Sequence, residues 1–107
     1  MIDSKTISTV LSALAHPSRV DIFKCLLAHH PNGLNAGCLS TKAGLAPSTL
    51  SHHLREMEKG GVVERRVVGQ STITSLDLTN LTEIASTLMQ LCCSVEAKQE
   101  TDANNDL

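Results

Sequence analysis

The chain has 107 residues and a mass of 11.4 kDa, which predicts one small domain, and one phenylalanine is its whole complement of Phe, Tyr and Trp. Proteins that bind RNA or single-stranded DNA rely on aromatic stacking, so this composition argues against both and leaves duplex DNA as the expected nucleic acid. The net charge of −2 is uneven, because residues 96–107 hold four acidic residues against one lysine, which leaves +1 for residues 1–95.

The first part of the chain predicts two helices that a proline separates. Asp3 or Ser4 can cap a first helix, whose apolar residues recur at three- and four-residue spacing. This helix ends near residues 15–16, because Pro17 can begin a helix but cannot continue one. The second helix, over residues 17–28, is apolar around much of its surface, which predicts a central place in the core.

A pair of helices follows a loop at residues 29–33. Asn35 can cap a short third helix that ends at Ala43, before Gly44, and a fourth helix fits residues 47–59. Two helices joined by three residues, of which the first is short and the second carries hydroxyl side chains at its start, are typical of a helix-turn-helix.

After the fourth helix, the pattern of apolar residues changes from one typical of helices to one typical of extended strands. Residues 62–68 and 71–78 are rich in Val, Ile and Thr and flank Gly69-Gln70, so they predict a β-hairpin. The predicted fold is mainly α with this small hairpin, in the order α-α-α-α-β-β-α, and is therefore a winged helix-turn-helix. A core this small leaves apolar surface uncovered, so we expect a dimer.

A last helix should follow the hairpin. Thr79 or Asn80 can cap it, with Glu83 as the capping-box partner of Asn80, and an apolar stripe continues to about Val95. The polar, acidic residues 96–107 have nothing to bury and predict a disordered tail. The expected organisation is a DNA-binding and dimerisation domain over residues 1–95, followed by this tail.

The predicted DNA-reading face combines the fourth helix and the hairpin. Hydroxyls near a helix N-terminus let the backbone approach phosphates, and an arginine two turns further on can reach a guanine edge or a phosphate. His53, which is next to Leu54, has a second interpretation as a hydrogen-bonded structural histidine. The candidate contacts, expected to form one cationic edge, are Ser48, Thr49, Ser51, His52, His53 and Arg55 on the helix and Arg65, Arg66 and Gln70 on the hairpin.

Three segments together resemble the ArsR family of winged-helix transcriptional repressors. They are Ala-His-Pro-Ser-Arg at residues 15–19, Leu-Ser-His-His-Leu at residues 50–54, and Gly-Val-Val at residues 61–63 before a basic hairpin. The resemblance covers roughly residues 8–95. It implies a homodimer built from the first and last helices, with the fourth helices in successive major grooves of a palindromic operator. It also implies an inducer that weakens DNA binding.

Adjacent thiols at Cys92 and Cys93 are the strongest ligand pattern in the chain. Trivalent arsenic and antimony and soft metals bind thiolates that lie within a few ångströms of one another, and As(III) takes about three. The resemblance supports this interpretation, since one branch of the family binds trivalent arsenic through a vicinal pair in the last helix and a third cysteine beyond it. No cysteine follows Cys93 here. Cys38 could be the third ligand, or two thiolates could suffice for an organoarsenical.

Other family patterns are absent, and other roles stay open. The Cys-x-Cys pair of metal-sensing members falls at Asn35 and Gly37, so it is missing here. Other members use His and acidic ligands in the last helix, where this chain has no His and only Glu83, which argues against a zinc or nickel site of the family's usual form. Thiol oxidation or reactive-sulfur sensing is an alternative, although the first cysteine of such members also falls at Asn35. Cys92 could instead be one more apolar residue of the stripe on the last helix. For Cys25 we expect the role of a small, buried apolar residue.

Several classes of protein are disfavoured. The chain has no Gly-rich phosphate loop, no catalytic triad pattern and no Cys-x-x-Cys, so we expect no enzyme and no required cofactor. It has no apolar run of membrane-spanning length and no basic-then-apolar leader, so we expect a cytoplasmic protein with no membrane partner and reduced cysteines. A winged helix that serves only as a protein-interaction module is a further alternative.

Overall fold

The computed structural model describes the backbone of residues 2–106 and the side chains of residues 2–95. Over that range the chain forms five helices and three short strands. Their order along the chain confirms the predicted winged helix-turn-helix. The elements are α1 (Ser4–Leu14), α2 (Pro17–Ala28), β1 (Leu34–Asn35), α3 (Ala36–Ala43), α4 (Pro47–Lys59), β2 (Val63–Val68), β3 (Ser71–Leu76) and α5 (Leu78–Asp106).

The predicted caps of the first and third helices are confirmed. Asp3 Oδ1 accepts a hydrogen bond from the Thr6 amide at 2.9 Å, and Asn35 Oδ1 accepts one from the Cys38 amide at 2.8 Å. Gly44 ends α3 with a φ of 67°, a left-handed conformation that glycine adopts at little cost. The turn to α4 is short, and the Ser40 hydroxyl closes it by donating to the Leu45 carbonyl.

The sheet has one strand that the sequence did not predict. Leu34 and Asn35 pair antiparallel with Thr74 and Ile73, so β1 joins the hairpin and the strand order is β1-β3-β2. Two residues are too few to show an alternating pattern, and the pairing depends on a distant strand rather than on local propensity. This third strand ties the hairpin to the loop before α3.

The last helix differs from its prediction at both ends. The Asp77 carboxylate accepts from the Thr79 amide at 3.2 Å and α5 begins at Leu78, so the predicted cap at Thr79 or Asn80 is wrong. The helix also continues past Val95 to Asp106. Alanine, glutamate, lysine and glutamine, which begin this polar segment, have high helix propensity, so a helix can extend there without an apolar stripe. Disorder of residues 96–107 in solution stays a prediction, as does the domain division at residue 95.

The core lies where α2 meets the helix-turn-helix. Ile22 and Leu26 of α2 are fully buried, which confirms the central place predicted for that helix. They share one cluster with Leu39 of α3, with the inner face of α4 and with residues of β2, β3 and α5. None of the helices among the described residues is long and apolar enough to cross a bilayer.

Gly60 provides a test of how tightly α1 packs on the end of α4. A Cβ placed on Gly60 would collide with the Ala13 methyl group and lie 3.3 Å from the Thr9 carbonyl, whereas one on Gly37 would meet only Asn35 Oδ1 at 3.5 Å. Gly60→Ala should therefore lower the free energy of unfolding by about 1–3 kcal/mol, because overpacking displaces α1.

Gly37→Ala is the matched control and should stabilise the protein by up to about 1 kcal/mol, since alanine favours a helix over glycine. Urea unfolding at one protein concentration measures both changes. Equal effects of the two substitutions would contradict the close contact at Gly60.

Candidate nucleic-acid interface and thiol sites

Helix α4 separates an exposed polar face from a buried one. Leu50, Leu54 and Met57 are at most 3 % exposed and point into the core. The predicted contacts that face solvent are Ser48, Thr49, Ser51, His52 and Arg55. The structure therefore presents these five predicted side chains on the outward face of the second helix of the helix-turn-helix.

The start of α4 leaves backbone donors free. Its N-cap residue is Ala46, and within the described chain no side chain caps this helix. Pro47 has no amide hydrogen, so the first-turn donors are the amides of Ser48 and Thr49. Uncapped amides beside two exposed hydroxyls, at the positive end of the helix dipole, form a suitable contact for an anion such as a phosphate.

The two hairpin arginines lie on opposite faces of β2. Arg65 forms an ion pair with Glu58 of α4 at 3.0 Å. Arg66 instead donates to the Asn32 carbonyl at 2.8 Å and to the Ser75 hydroxyl at 3.4 Å. Neighbouring residues of a strand point to opposite faces, which explains why the expected single cationic edge is divided.

The tip of the hairpin is exposed and partly apolar. Gly69 makes the turn with a φ of 63°, and Gln70 beside it is exposed. Val67 and Val68 next to the turn are 75 % and 54 % exposed. Arg65 is thus the hairpin arginine that contacts α4, whereas Arg66 holds the hairpin against the loop after α2.

His53 lies inside the protein rather than on the outward face. Its side chain is 6 % exposed, and its Nδ1 accepts a hydrogen bond from Arg19 Nε of α2 at 3.1 Å. The ring of His16 lies 4.7 Å away between centroids, and the ring of His52 lies 5.7 Å away. This geometry supports the structural interpretation of His53 rather than a DNA contact.

The surroundings of His53 disfavour its protonated form. Burial lowers the pKa of His53, and the charges of His16, Arg19 and His52 lower it further. Arg19 and His16 were not predicted from the sequence to be partners of His53. Both belong to the Ala-His-Pro-Ser-Arg segment that carried the family resemblance. The segment was therefore recognised as a motif, but its contact with the fourth helix was not predicted.

The four cysteines are distributed over three helices. Cys92 and Cys93 of α5 and Cys38 of α3 are exposed, while Cys25 of α2 is half-buried against the core, which supports its structural interpretation. Consecutive residues of a helix do not face each other, so the two thiols of the pair diverge while α5 stays helical. Among the described residues, no three His, Cys, Asp or Glu side chains are close enough to hold a metal ion.

Helices α1 and α5 both expose apolar side chains. Leu88, Met89, Leu91 and Val95 on α5 are 38–64 % exposed, and Leu11 on α1 is 42 % exposed. Leu11 also lines an open groove on α1, together with Ile7. Apolar surface of this kind is typical of a face that packs against another protein chain.

Comparison with known proteins agrees with this geometry. Residues 14–66 match the family described as a helix-turn-helix domain. The chain is 31 % identical over 86 residues to the HTH-type transcriptional regulator YgaV of Escherichia coli (strain K12), which covers 80 % of this chain and 85 % of YgaV. It is 32 % identical over 84 residues to the transcriptional activator HlyU of Vibrio cholerae, with coverage of 78 % and 75 %.

A solved structure shares the fold at lower identity. It is the solution NMR structure of a homodimeric winged helix-turn-helix DNA-binding domain from Mycobacterium bovis, described as a possible ArsR-family transcriptional regulator. The TM-score is 0.66 at 22 % identity, and the match covers 89 % of this chain and 84 % of that domain.

The buried histidine predicts how stability depends on pH. Because the pKa of His53 is lower in the folded chain than its ordinary value of 6.5, unfolding takes up a proton below that pH. The contribution of His53 to stability is therefore fully present above about pH 6.5 and is lost as the pH falls toward the folded pKa. The slope it adds is at most about 1.4 kcal/mol per pH unit.

Urea unfolding between pH 8 and pH 5 measures this slope. His53→Asn keeps an acceptor at the position of Nδ1 but does not titrate, so its free energy of unfolding should fall less steeply with acid than that of the wild type. His29→Asn, which removes an exposed histidine, should behave like the wild type. If His53→Asn leaves this slope unchanged, His53 is not the source of the pH dependence of stability.

Proposed function

Because the chain belongs to the ArsR family of winged-helix transcriptional regulators, we propose that it is a homodimeric repressor that binds a duplex operator through α4 and the hairpin. A thiol-binding inducer releases it, and the inducer is trivalent arsenic or antimony at Cys92 and Cys93. The observation that carries the DNA-binding part is the outward face of α4, where exposed hydroxyls and uncapped amides precede Arg55.

The spacing of the polar side chains along α4 determines how the helix docks on DNA. Ser48 and Thr49 anchor a phosphate through their amides and hydroxyls, which fixes the helix against the backbone. Arg55 lies seven residues after Ser48, or about 10 Å along the helix axis, so it reaches from the anchored end into the major groove. There its guanidinium can donate two hydrogen bonds to a guanine edge, with Ser51 and His52 beside it.

The hairpin adds contacts to the backbone beside the groove. Arg65 is the hairpin arginine that contacts α4, and its partner Glu58 is 42 % exposed at the side chain, so a phosphate can replace the carboxylate. An exposed ion pair of this kind stabilises the protein by no more than about 1 kcal/mol, which a phosphate contact can offset. Gln70 at the turn reaches the same backbone, while Arg66 keeps the hairpin in place.

Dimerisation through α1 and α5 accounts for their exposed apolar surface. Packing two copies would cover Leu11 of α1 and the stripe of α5, and the M. bovis neighbour is itself homodimeric. A two-fold dimer places two copies of α4 on one side, as a palindromic operator requires.

The sensing part rests on where the thiol pair lies. Cys92 and Cys93 are exposed among Met89, Leu91 and Val95, within the proposed dimer surface. Binding both thiolates to one soft atom requires the end of α5 to change its helical geometry, because adjacent residues diverge. A ligand that reshapes this surface changes the spacing of the two α4 helices and so lowers operator affinity.

Two forms of this site follow from the thiols available. A monosubstituted organoarsenical needs only Cys92 and Cys93. Arsenite takes about three thiolates, so Cys38, exposed on α3, would supply the third. The redox alternative, oxidation or persulfidation of these thiols, uses the same exposed cysteines and is separated from arsenic binding by the choice of inducer.

Substitution of Arg55 tests the proposed base contact. Arg55→Ala should lose about 1–3 kcal/mol of discrimination between specific and scrambled duplexes while the dimer stays intact, because a good bidentate contact to a base is worth that much. Fluorescence anisotropy with DNA from upstream of the chain's own gene, together with sedimentation, measures both properties.

Lys24→Ala is the control, since Lys24 is an exposed residue of α2, outside α4 and the hairpin, and its substitution should leave discrimination between duplexes as in the wild type. Sequence preference retained in Arg55→Ala rules out Arg55 as a base reader. Absence of any salt-sensitive binding by the wild type would favour an interaction module instead.

Titration of inducers against the operator complex tests the thiol site. Arsenite and phenylarsine oxide should release the wild type, whereas Cys92→Ser/Cys93→Ser should stay bound, because serine does not replace a thiolate toward arsenic. Cys38→Ser should lose the response to arsenite and keep the response to phenylarsine oxide if Cys38 is the third ligand.

Zinc and a persulfide donor complete the comparison. Equal release of the wild type and the double variant by arsenite would eliminate the proposed site. Release by persulfide alone would support the redox alternative and contradict arsenic sensing.

A further inference from the structure

The contact between Arg19 and His53 fixes the protonation of a buried imidazole on the DNA-reading helix. Arg19 Nε carries a hydrogen and donates it to His53 Nδ1 at 3.1 Å. Since a neutral imidazole holds one hydrogen, this bond places it on Nε2. His53 is one residue from His52 and two from Arg55, so its position sets the position of the outward face of α4.

His16 also contacts His53, from the start of α2. As the N-cap of α2, its Nδ1 accepts from the Ser18 amide at 3.2 Å. Its ring packs against that of His53 at 4.7 Å and 52°. Arg19, His53 and His16 therefore form one cluster, the Arg19–His53–His16 cluster, which joins the start of α2 to the buried face of α4.

A second proton on His53 is incompatible with this cluster. It would go to Nδ1, where it would face the Arg19 Nε–H, so an acceptor would become a second donor and two positive charges would meet. Among the described residues, no carboxylate forms a hydrogen bond or ion pair with any member of the cluster.

The remaining charges near α4 are engaged elsewhere. Glu56 lines a polar cavity with Arg19 between α1 and α4, but its carboxylate pairs with Lys59 at 3.6 Å. On the side of β2, Glu58 pairs with Arg65. His52, the remaining neighbour, is exposed, and its ring lies 5.7 Å from that of His53.

We infer that Arg19 and His16 are positioning residues, which keep His53 a neutral acceptor and so orient α4 for the operator, and that mild acid releases the protein from DNA. This inference rests on the proposed operator binding. Protonation of His53 breaks the bond to Arg19, turns α4 relative to α2 and misplaces Arg55.

The sign of this effect distinguishes it from general electrostatics. Protonation of exposed histidines adds positive charge to the protein, which strengthens binding to the phosphate backbone. A protein without the cluster should therefore bind DNA equally well or more tightly as the pH falls. Weaker binding in mild acid requires a proton that disturbs the geometry of α4.

Operator affinity between pH 8 and pH 5.5 tests the inference, with the upstream duplex as the probe and circular dichroism to verify that the protein stays folded. The wild type should bind several-fold more weakly at pH 5.5 than at pH 8, because the free protein can take up a proton at His53 that the bound protein excludes. His53→Asn keeps the acceptor without a titrating group and should lose the weakening. The control His29→Asn should weaken like the wild type.

Arg19→Gln gives a second test should His53→Asn fail to fold. It removes the positive charge and the Nε–H donor, both of which favour neutral His53, so the midpoint of the pH dependence should move to higher pH. A midpoint that stays in place or moves to lower pH overturns the role of Arg19.

The outcomes separate this inference from the function on which it rests. Wild-type protein that fails to bind the duplex at pH 8 overturns the proposed function and, with it, any release by acid. Binding at pH 8 that does not weaken by pH 5.5, or that weakens equally in His53→Asn, overturns the cluster's role and leaves operator binding intact.

Discussion

Burial of the inner face of α4 against α2 determines which side chains of α4 face outward, and the proposed DNA contact depends on it. Leu50, Leu54 and Met57 share one core cluster with Ile22 and Leu26, and burying three such side chains stabilises the packing by roughly 5–9 kcal/mol before entropy is counted. The hydrogen bond from an arginine to a neutral histidine is worth only about 1.5–3 kcal/mol. The apolar contacts thus hold α4 in place, and the polar cluster beneath it selects one orientation.

Local and non-local interactions differ in how well the sequence predicts them. Periodicity and capping residues locate local features well, so Asp3, Asn35 and Gly44 end or begin helices where expected. Non-local pairings leave no such signal. Strand β1 exists because Leu34 meets Thr74, and Asp77 rather than Thr79 caps α5 because the hairpin ends two residues earlier than predicted.

The DNA-reading face was predictable for the helix and less so for the hairpin. Alternation of polar and apolar positions identifies which residues of α4 face outward, and it leaves only His53 ambiguous, because a histidine suits either environment. For the hairpin, a count of arginines suggests one cationic edge, but the pleat sends Arg65 and Arg66 to opposite faces. The thiols show a similar limit, since adjacency in sequence does not bring Cys92 and Cys93 together while α5 is helical.

The most direct test of the account is an NMR titration of isotope-labelled protein with the upstream duplex at pH 8, followed at each backbone amide. If the outward face of α4 reads DNA, the largest shifts should fall on residues 48–55 and on residues 65–70 of the hairpin, with the Ser48 and Thr49 amides foremost because they are free to meet a phosphate. Shifts confined to α3 and α5, with α4 unaffected, would contradict it.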